Sequence, residues 1–335
     1  MTLSQIAEKS GVSIGTVDRV VNNRGKVAPA TKQKIEEVIE KYGYTPNLAA
    51  RQLKQRSVLT VGVLFPLRDT DFGYWDLVIS GIQSACLTLR PFTIELLPAF
   101  FDRTKPGTML EAGAALLEKG VDGMILSPVL SQDAQSLAAL MNGAPYIYVD
   151  SPLAKTRPLV TIAQSPFRGG LCAGRMMSFL KRAGLFAAIR MFSDGLNLRE
   201  RIRGFSEYFG SRENSRTIEV SCDFLDPNSL HEFMDELFAL HPDISGIFVP
   251  HAEGYLVAEY LVERGLKKNI ALIGYDNLPR NRRCVLDGAI DCLISQRADN
   301  QGYQALCELY RHCVLGEPCE PVIDIPIDVF FRENI

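Results

Sequence analysis

Two sets of residues in this 335-residue chain have types and spacings that could do chemistry. The first lies near the amino terminus, in Val12-Ser13-Ile14-Gly15-Thr16-Val17-Asp18-Arg19-Val20-Val21-Asn22. Val17, Val20 and Val21 recur at helical spacing, and Ser13 is a residue type that caps a helix start. The opposite side of that helix then turns Ser13, Ile14, Gly15, Asp18 and Arg19 toward solvent. Hydroxyl and guanidinium groups suit phosphates and guanine edges. The second set follows apolar runs of strand length. Asp150 ends Tyr146-Ile147-Tyr148-Val149, Asp276 follows Ile273-Gly274-Tyr275, and Gln296 ends Leu293-Ile294-Ser295, while Tyr74-Trp75 stands after the first such run. Open α/β sheets bind ligands at the carboxyl ends of their strands, and carboxylates or amides there can fork onto neighbouring hydroxyls. That is polyol chemistry. Taken singly, each polar residue has an alternative as a helix cap or surface charge, and Tyr74 and Trp75 as a cap on a core.

The elements that position the first set are short. Thr2 with Gln5 reads as a capping box opening a helix whose apolar face is Leu3, Ile6 and Ala7, and Gly11 marks a tight turn. Two helices so joined form a helix-turn-helix, whose second helix can enter a DNA major groove. A third helix begins at Pro29, with Ile35, Val38, Ile39 and Tyr42 on one face, and ends at Gly43. Residues 1–57 hold ten Lys/Arg and five Asp/Glu, a net of +5, so the remainder carries −8 of the chain's −3. A basic head on an acidic body concentrates phosphate attraction at the helix-turn-helix.

From Leu59 the texture changes. Strand-length apolar runs at Leu59–Phe65, Thr93–Leu97, Gly123–Ser127, Tyr146–Val149, Phe186–Arg190, Gly246–Val249, Ile270–Gly274 and Ala289–Ile294 alternate with helical patterns. The helical patterns are Val78–Thr88, Met109–Lys119, Ala134–Met141, Gly170–Lys181, Leu230–Leu240 and Tyr255–Arg264. That rhythm predicts two parallel-sheet α/β domains with buried strands.

Composition excludes other classes. No apolar run approaches the eighteen or so residues of a membrane span and no secretory signal opens the sequence, so a cytoplasmic protein is expected. Eight cysteines without a CxxC pair read as free thiols in a reducing compartment, and four histidines make no HExxH. No GxSxG elbow follows a strand-length run, no GxxxxGK[ST] or GxGxxG occurs, and Gly169, Gly170 and Gly174 are explained by close packing. No enzyme, cofactor or metal is expected.

The stretches TLSQIAEKSGVSIGTVDRVVNNRG and YGYTPNLAARQLK resemble the DNA-binding domain and hinge of the LacI family, and the resemblance extends over essentially the whole chain. It implies a small all-α headpiece over 1–45, a hinge helix over 46–57, and a two-lobed periplasmic-binding-protein-like α/β effector domain over 58–335. The lobes are expected near 58–163 plus 297–322 and near 164–296 plus 323–335. The implied partners are double-stranded operator DNA, a second copy in a homodimer, and a sugar, polyol or sugar acid. By resemblance, Ser13, Ile14, Thr16, Arg19 and Asn22 contact DNA, with Gly15 and Asp18 departing from the family's usual residues. Asn47, Ala50, Arg51, Leu53 and Lys54 match the hinge, Leu53 being the leucine that wedges into the minor groove.

The same resemblance assigns the ligand site. Tyr74 and Trp75 match paired aromatics that stack on sugar faces, Asp150 a hydroxyl acceptor, Arg201 the arginine of an RxxGF pattern, and Asp276 the aspartate of VGYD, beside Gln296. His251 stands where relatives carry asparagine. A histidine there can be structural, or it can become cationic and favour an acidic ligand. The expected function is a ligand-responsive transcriptional regulator, a repressor of carbohydrate or polyol genes. The alternative is a solute-binding protein of a transport system, which needs an export signal and no basic headpiece.

Overall fold

Three helices make the amino-terminal unit, α1 (Leu3–Ser10), α2 (Ile14–Val21) and α3 (Pro29–Lys41). Each contributes one wholly buried aliphatic side chain, Ile6, Val17 and Ile35, and Ala7 and Val20 complete the small core. The turn between α1 and α2 passes through Gly11 at φ +66°, where a side chain is disfavoured. Ser13 accepts from the Thr16 N–H at 3.2 Å and so caps α2. The structure is a computed structural model describing residues 3–21, 27–42, 58–68, 73–89, 93–191, 195–222 and 227–335. Thr2, Asn22, Arg24, Lys26 and all of 43–57, including Asn47, Ala50, Arg51, Leu53 and Lys54, lie outside these residues. The chain divides into two compact units, Met1–Ser57 and Val58–Ile335.

The second unit holds two six-stranded sheets. The first is built by β1 (Val58–Pro66), β2 (Thr93–Phe101), β3 (Gly123–Leu126), β4 (Tyr146–Val149) and β5 (Val160–Ala163), with β11 (Val322–Asp324) at its edge. Its order is β11-β5-β4-β3-β1-β2, and all pairs are parallel. The second takes β6 (Gly184–Met191), β7 (Ser215–Cys222), β8 (Ile244–Phe248), β9 (Ala271–Tyr275), β10 (Cys292–Ser295) and β12 (Asp328–Phe330). Its order, β12-β10-β9-β8-β6-β7, repeats the first, except that β12 runs antiparallel to β10.

Helices cover both faces of each sheet, as parallel sheets require. On the first sheet these are α4 (Tyr74–Thr88), α5 (Thr108–Glu118) and α6 (Ser131–Leu140), joined late in the chain by α12 (Ala298–Tyr310). On the second they are α7 (Pro166–Leu180), α8 (Leu196–Phe209), α9 (Pro227–Leu240), α10 (Gly254–Glu263) and α11 (Pro279–Leu286). The chain passes between lobes three times, from β5 into α7, from β10 into α12, and from β11 into β12. No helix among the described residues is long and apolar enough to cross a membrane.

The lobes share one packing device. In the first, Gly81 on α4 meets Gly302 on α12 so closely that an added Cβ would lie 1.8 Å from the Asp299 carbonyl oxygen or 2.0 Å from that of Val78. In the second, a Cβ on Gly170 of α7 would lie 1.9 Å from the Arg201 carbonyl oxygen. Gly170→Ala is therefore expected to cost about 3 kcal/mol or more, read by urea unfolding, because the obstacle is backbone and cannot rotate away. It also displaces the segment that carries Arg201. An unchanged midpoint would show that the two helices separate at little cost.

Seven of the described strands and α-helices of the effector unit are not among the expected runs, and two of these, β11 and β12, are strands of three residues each. The strand β7 alternates polar and apolar residues and is an edge strand, β5 is only four residues long, and α8, α11 and α12 are polar-rich helices. The expected strand Ala289–Ile294 begins at Cys292, because residues 287–291 form the turn out of α11.

Candidate effector site and DNA interface

Both sheets end the corresponding strand with an aspartate in the left-handed region. Asp150, after β4, has φ +73°, and Asp276, after β9, has φ +65°. Aspartate tolerates this conformation better than most residues, though it still costs of order 1 kcal/mol. The backbone is held there by the neighbouring strand, since Asp150 N–H donates to the Ile162 carbonyl at 3.0 Å and Asp276 N–H to that of Ile294 at 2.7 Å. Asn281, wholly buried, fixes the second turn by donating to the carbonyls of Tyr275 at 2.9 Å and Asp276 at 3.1 Å. Gln301 fixes the first. It accepts from Asp150 N–H at 2.9 Å and donates to the Gln296 carbonyl, also at 2.9 Å, where the chain crosses between lobes.

Arg201 on α8 lies between these carboxylates. It donates to the Pro250 carbonyl at 2.8 Å and to Gln296 Oε1 at 3.0 Å, and its guanidinium covers the Tyr275 ring at 3.8 Å. Gln296 passes the contact on, donating to Asp276 Oδ1 at 3.0 Å. From the first lobe, the Tyr74 hydroxyl donates to Asp150 Oδ1 at 3.1 Å. Asn197 closes the gap between lobes. Its amide donates to Asp150 Oδ2 at 3.1 Å and to Ser151 Oγ at 2.8 Å.

Charge and burial act on one another here. Burial, then Asp150 and Asp276, hold the Tyr74 phenol well above its ordinary pKa, so it stays a donor. Burial pushes Asp276 up to about 6, against the pull of Arg201 and the Gln296 hydrogen bond, while Asp150 and Glu253 add to the rise. For Arg201, burial alone would lower the pKa, but Tyr275, Asp276 and Asp150 outweigh it and raise it. Among the described residues, the buried atoms without a hydrogen-bond partner include Arg201 Nε, Asn197 Oδ1 and Asn277 Oδ1. Buried polar groups are ordinarily paired, so such atoms mark where a ligand's polar groups would be received.

Tyr74, Asp150, Arg201, Asp276 and Gln296 thus form one hydrogen-bonded and electrostatic group. Trp75 is placed elsewhere. It is 3 % exposed and stacks on Phe65 in the core of the first lobe at 5.1 Å, edge-on to Tyr74. His251 lies beside the group, its Nε2 accepting from Met191 N–H at 3.2 Å and its Nδ1 bonded to the buried Glu253 carboxylate.

Residues 61–318 match the periplasmic binding protein domain, and residues 2–47 match the bacterial regulatory proteins of the lacI family. The chain belongs to the LacI family.

Over all of this LacI-family chain, 25% of residues are identical to the transcriptional repressor PurR of Mannheimia succiniciproducens, covering 98% of that protein. A 175-residue match to the sucrose operon repressor of Lactococcus lactis is 32% identical and spans 52% of each chain. Among solved structures, one assigned as a LacI transcriptional regulator from Bacteroides fragilis superposes with a TM-score of 0.73 at 27% identity, over 82% of this chain and 98% of that one. A solute-binding protein from Burkholderia graminis, in complex with D-arabinose, reaches 0.74 at 21% identity, over 82% of this chain and 96% of that one, a likeness of fold. The protein is accordingly a DNA-binding transcriptional regulator and not an enzyme, and the basic headpiece disfavours the transport reading.

In the headpiece of this LacI-family chain, Ser13, Ile14 and Arg19 are exposed and Thr16 is half-buried, all on α2 or its cap. Ile14 is 52 % exposed and so available for contact. Asn197 and Asn277 are not legible as site residues in the sequence. Asn197 stands at the start of α8, where the resemblance is faint, and Asn277 directly follows Asp276. The only signal available for Asn277 was that adjacency.

Proposed function

We propose that this regulator grips operator DNA as a homodimer through α2 and a hinge over 46–57, and that a sugar-like effector bound between its lobes alters that grip. The headpiece is assigned to 1–45, and the lobes to 58–163 plus 297–325 and 164–296 plus 326–335, the expected boundary at 322/323 moving because β11 pairs with β5 and Ile325 packs in the first lobe's core. The observation that carries the effector half is the pair of left-handed strand-end aspartates facing one buried arginine, with Arg201 Nε and Asn197 Oδ1 unpaired beside them. Such a set can receive several hydroxyl groups at once. Relatives named as a sucrose operon repressor and as the transcriptional repressor PurR support control of a metabolic operon. In this reading Tyr74, Asp150, Arg201, Asp276 and Gln296 bind the effector. Trp75 supports Tyr74 from the core, and His251 orders the neighbouring loop.

The test is a titration of the full chain with sugars, polyols and sugar acids. Trp75 emission reports binding, with Trp75→Phe as the blank, and operator affinity is measured with and without each binder. One compound should saturate and change operator affinity by about 5–150-fold, the usual range of allosteric coupling. Silence in both readouts would remove the sugar reading and leave the DNA-binding function standing.

On the DNA side, Leu53→Ala should weaken operator binding at least about tenfold through loss of the minor-groove wedge, with effector affinity unchanged. Equal operator affinity, measured by fluorescence anisotropy, would take Leu53 out of the interface.

A further inference from the structure

We propose that the first lobe carries a second small-molecule site, at the opposite end of β4 from Asp150, and that it takes a phosphate monoester of an organic metabolite. The site lies within one lobe and does not depend on what the cleft binds.

Strand β4 starts at Tyr146 and is followed by Asp150, so its two ends stand roughly 13 Å apart at about 3.3 Å per residue. At the Tyr146 end, between the carboxyl half of α6 and the loop 153–159, is a cavity of about 540 Å³. Small-molecule sites run from roughly 300 to 1,000 Å³. Met141 and Leu159 give it an apolar wall, Gln135 and Thr156 add polar groups, and Lys155, Arg157 and His312 bring three basic side chains. No Asp or Glu lines it among the described residues.

The basic side chains are uncommitted. Among the described residues, those of Lys155, Arg157 and His312 make no ion pair and no hydrogen bond, whereas the adjacent Arg311 is held by Glu308 and Glu317. The loop that presents two of them is tied down. Thr156 Oγ1 donates to the Leu153 carbonyl at 2.7 Å, and the Arg157 N–H to the Tyr146 hydroxyl at 3.0 Å. Within these ties Lys155 is held at φ +63°, a left-handed conformation that lysine has no local side-chain hydrogen bond to ease. One further group is unspent. Tyr148 is wholly buried, its ring centroid 5.3 Å from that of Tyr146, and its hydroxyl has no hydrogen-bond partner. Buried hydroxyls are ordinarily paired, and Thr156 and Tyr146, the polar groups that act on this one, both line the cavity.

Two fixed cations beside one cavity match a dianion better than a carboxylate. A phosphate monoester brings nearly two charges and three acceptor oxygens, which an arginine fork, a lysine and a threonine hydroxyl can share. Inorganic phosphate would leave most of the volume and the apolar wall unused, so an organic portion is expected. The phosphodiester of a DNA duplex carries one charge and would meet only the rim.

Calorimetry on the full-length protein at pH 7.5 and constant ionic strength tests this with inorganic phosphate, glucose 6-phosphate and AMP, and with glucose and adenosine as uncharged parents. One ester should saturate, at least about tenfold more tightly than inorganic phosphate. Lys155→Gln combined with Arg157→Gln should weaken it by about tenfold or more, as expected for losing charge-assisted hydrogen bonds, and should leave glucose and adenosine as they were. Both side chains are exposed, so the fold is not at stake. Gln135→Glu, which adds a carboxylate to the cavity, should weaken the same ester. No saturating ester overturns the proposal. An ester bound equally well by the double variant overturns it by placing that ligand elsewhere, the cleft included. Inorganic phosphate binding as tightly as the esters overturns the organic part and leaves an adventitious anion only. Weaker operator binding by the double variant with no ester present would overturn it in favour of contact with the DNA backbone.

Discussion

Arg201→Met is expected to abolish the effector's influence on DNA binding and to lower the stability of the effector unit by about 3–5 kcal/mol, the usual cost of stripping one partner from a buried charged group. Methionine fills much of the same volume, so the loss is electrostatic and not a cavity. It leaves the Pro250 carbonyl and Gln296 Oε1 without their donor, and it removes the positive charge that offsets Asp150 and Asp276. For a unit of this size the midpoint should fall by roughly 10 °C, since each kcal/mol is worth about 2–4 °C. Operator binding without effector should persist, because the headpiece has its own core of Ile6, Val17 and Ile35. Arg201→Lys keeps the charge but not the planar fork, so it should recover part of the stability and little of the response. Thermal melts followed by circular dichroism, together with operator titrations, check both halves. A melt unchanged in Arg201→Met would mean that the guanidinium is not the counter-charge its surroundings imply.

How legible was this in the sequence? The helical repeats of α2 and α3, the Ser13 cap, the Pro29 start and the Gly11 turn are local features, and local features survive translation into structure. The buried strands announce themselves as apolar runs because both faces of each sheet are covered. Strand β7 did not, since an edge strand alternates polar and apolar side chains, and neither did α12, whose polar positions reach across to hold Asp150. Asp150 and Asp276 could be found because a carboxylate directly after an apolar strand stands out. Their left-handed backbone, and Asn281 and Gln301 that maintain it, could not. Gln301 meets Asp150 across 151 positions of sequence, and no periodicity encodes such a meeting.

The aromatic pair teaches a similar limit. Two adjacent aromatics at a helix start point in different directions, and spacing alone does not say which enters the core. Tyr74 carries its hydroxyl to Asp150, while Trp75 stacks on Phe65. For His251 the residue type suggested a switchable charge, whereas the Met191 N–H and Glu253 supply partners to both ring nitrogens from the same lobe. Residue type proposes chemistry, and the hydrogen-bond partners decide how much of it is available.

Asp276→Asn should make the protein more stable at neutral pH while weakening effector binding. The folded-state pKa of Asp276 is raised from 3.8 to about 6 by burial. The folded chain therefore binds this proton more readily than the unfolded chain, and stability falls as pH rises between about 4 and 6. Above that window the buried carboxylate is ionised at a cost of order 3 kcal/mol, at 1.36 kcal/mol per pKa unit. Asparagine removes the charge and keeps an oxygen for Gln296 Nε2 to donate to. The gain over the native protein should be greatest above about pH 6.5 and should vanish toward pH 4, where the native aspartate is itself protonated. Urea unfolding at pH 4, 5.5 and 7.5 reads this directly. A difference independent of pH would assign it to packing rather than to ionisation. If the gain appears only at neutral pH, together with weaker effector binding, the carboxylate is retained at the cost of stability because the ligand's hydroxyls require an ionised acceptor there.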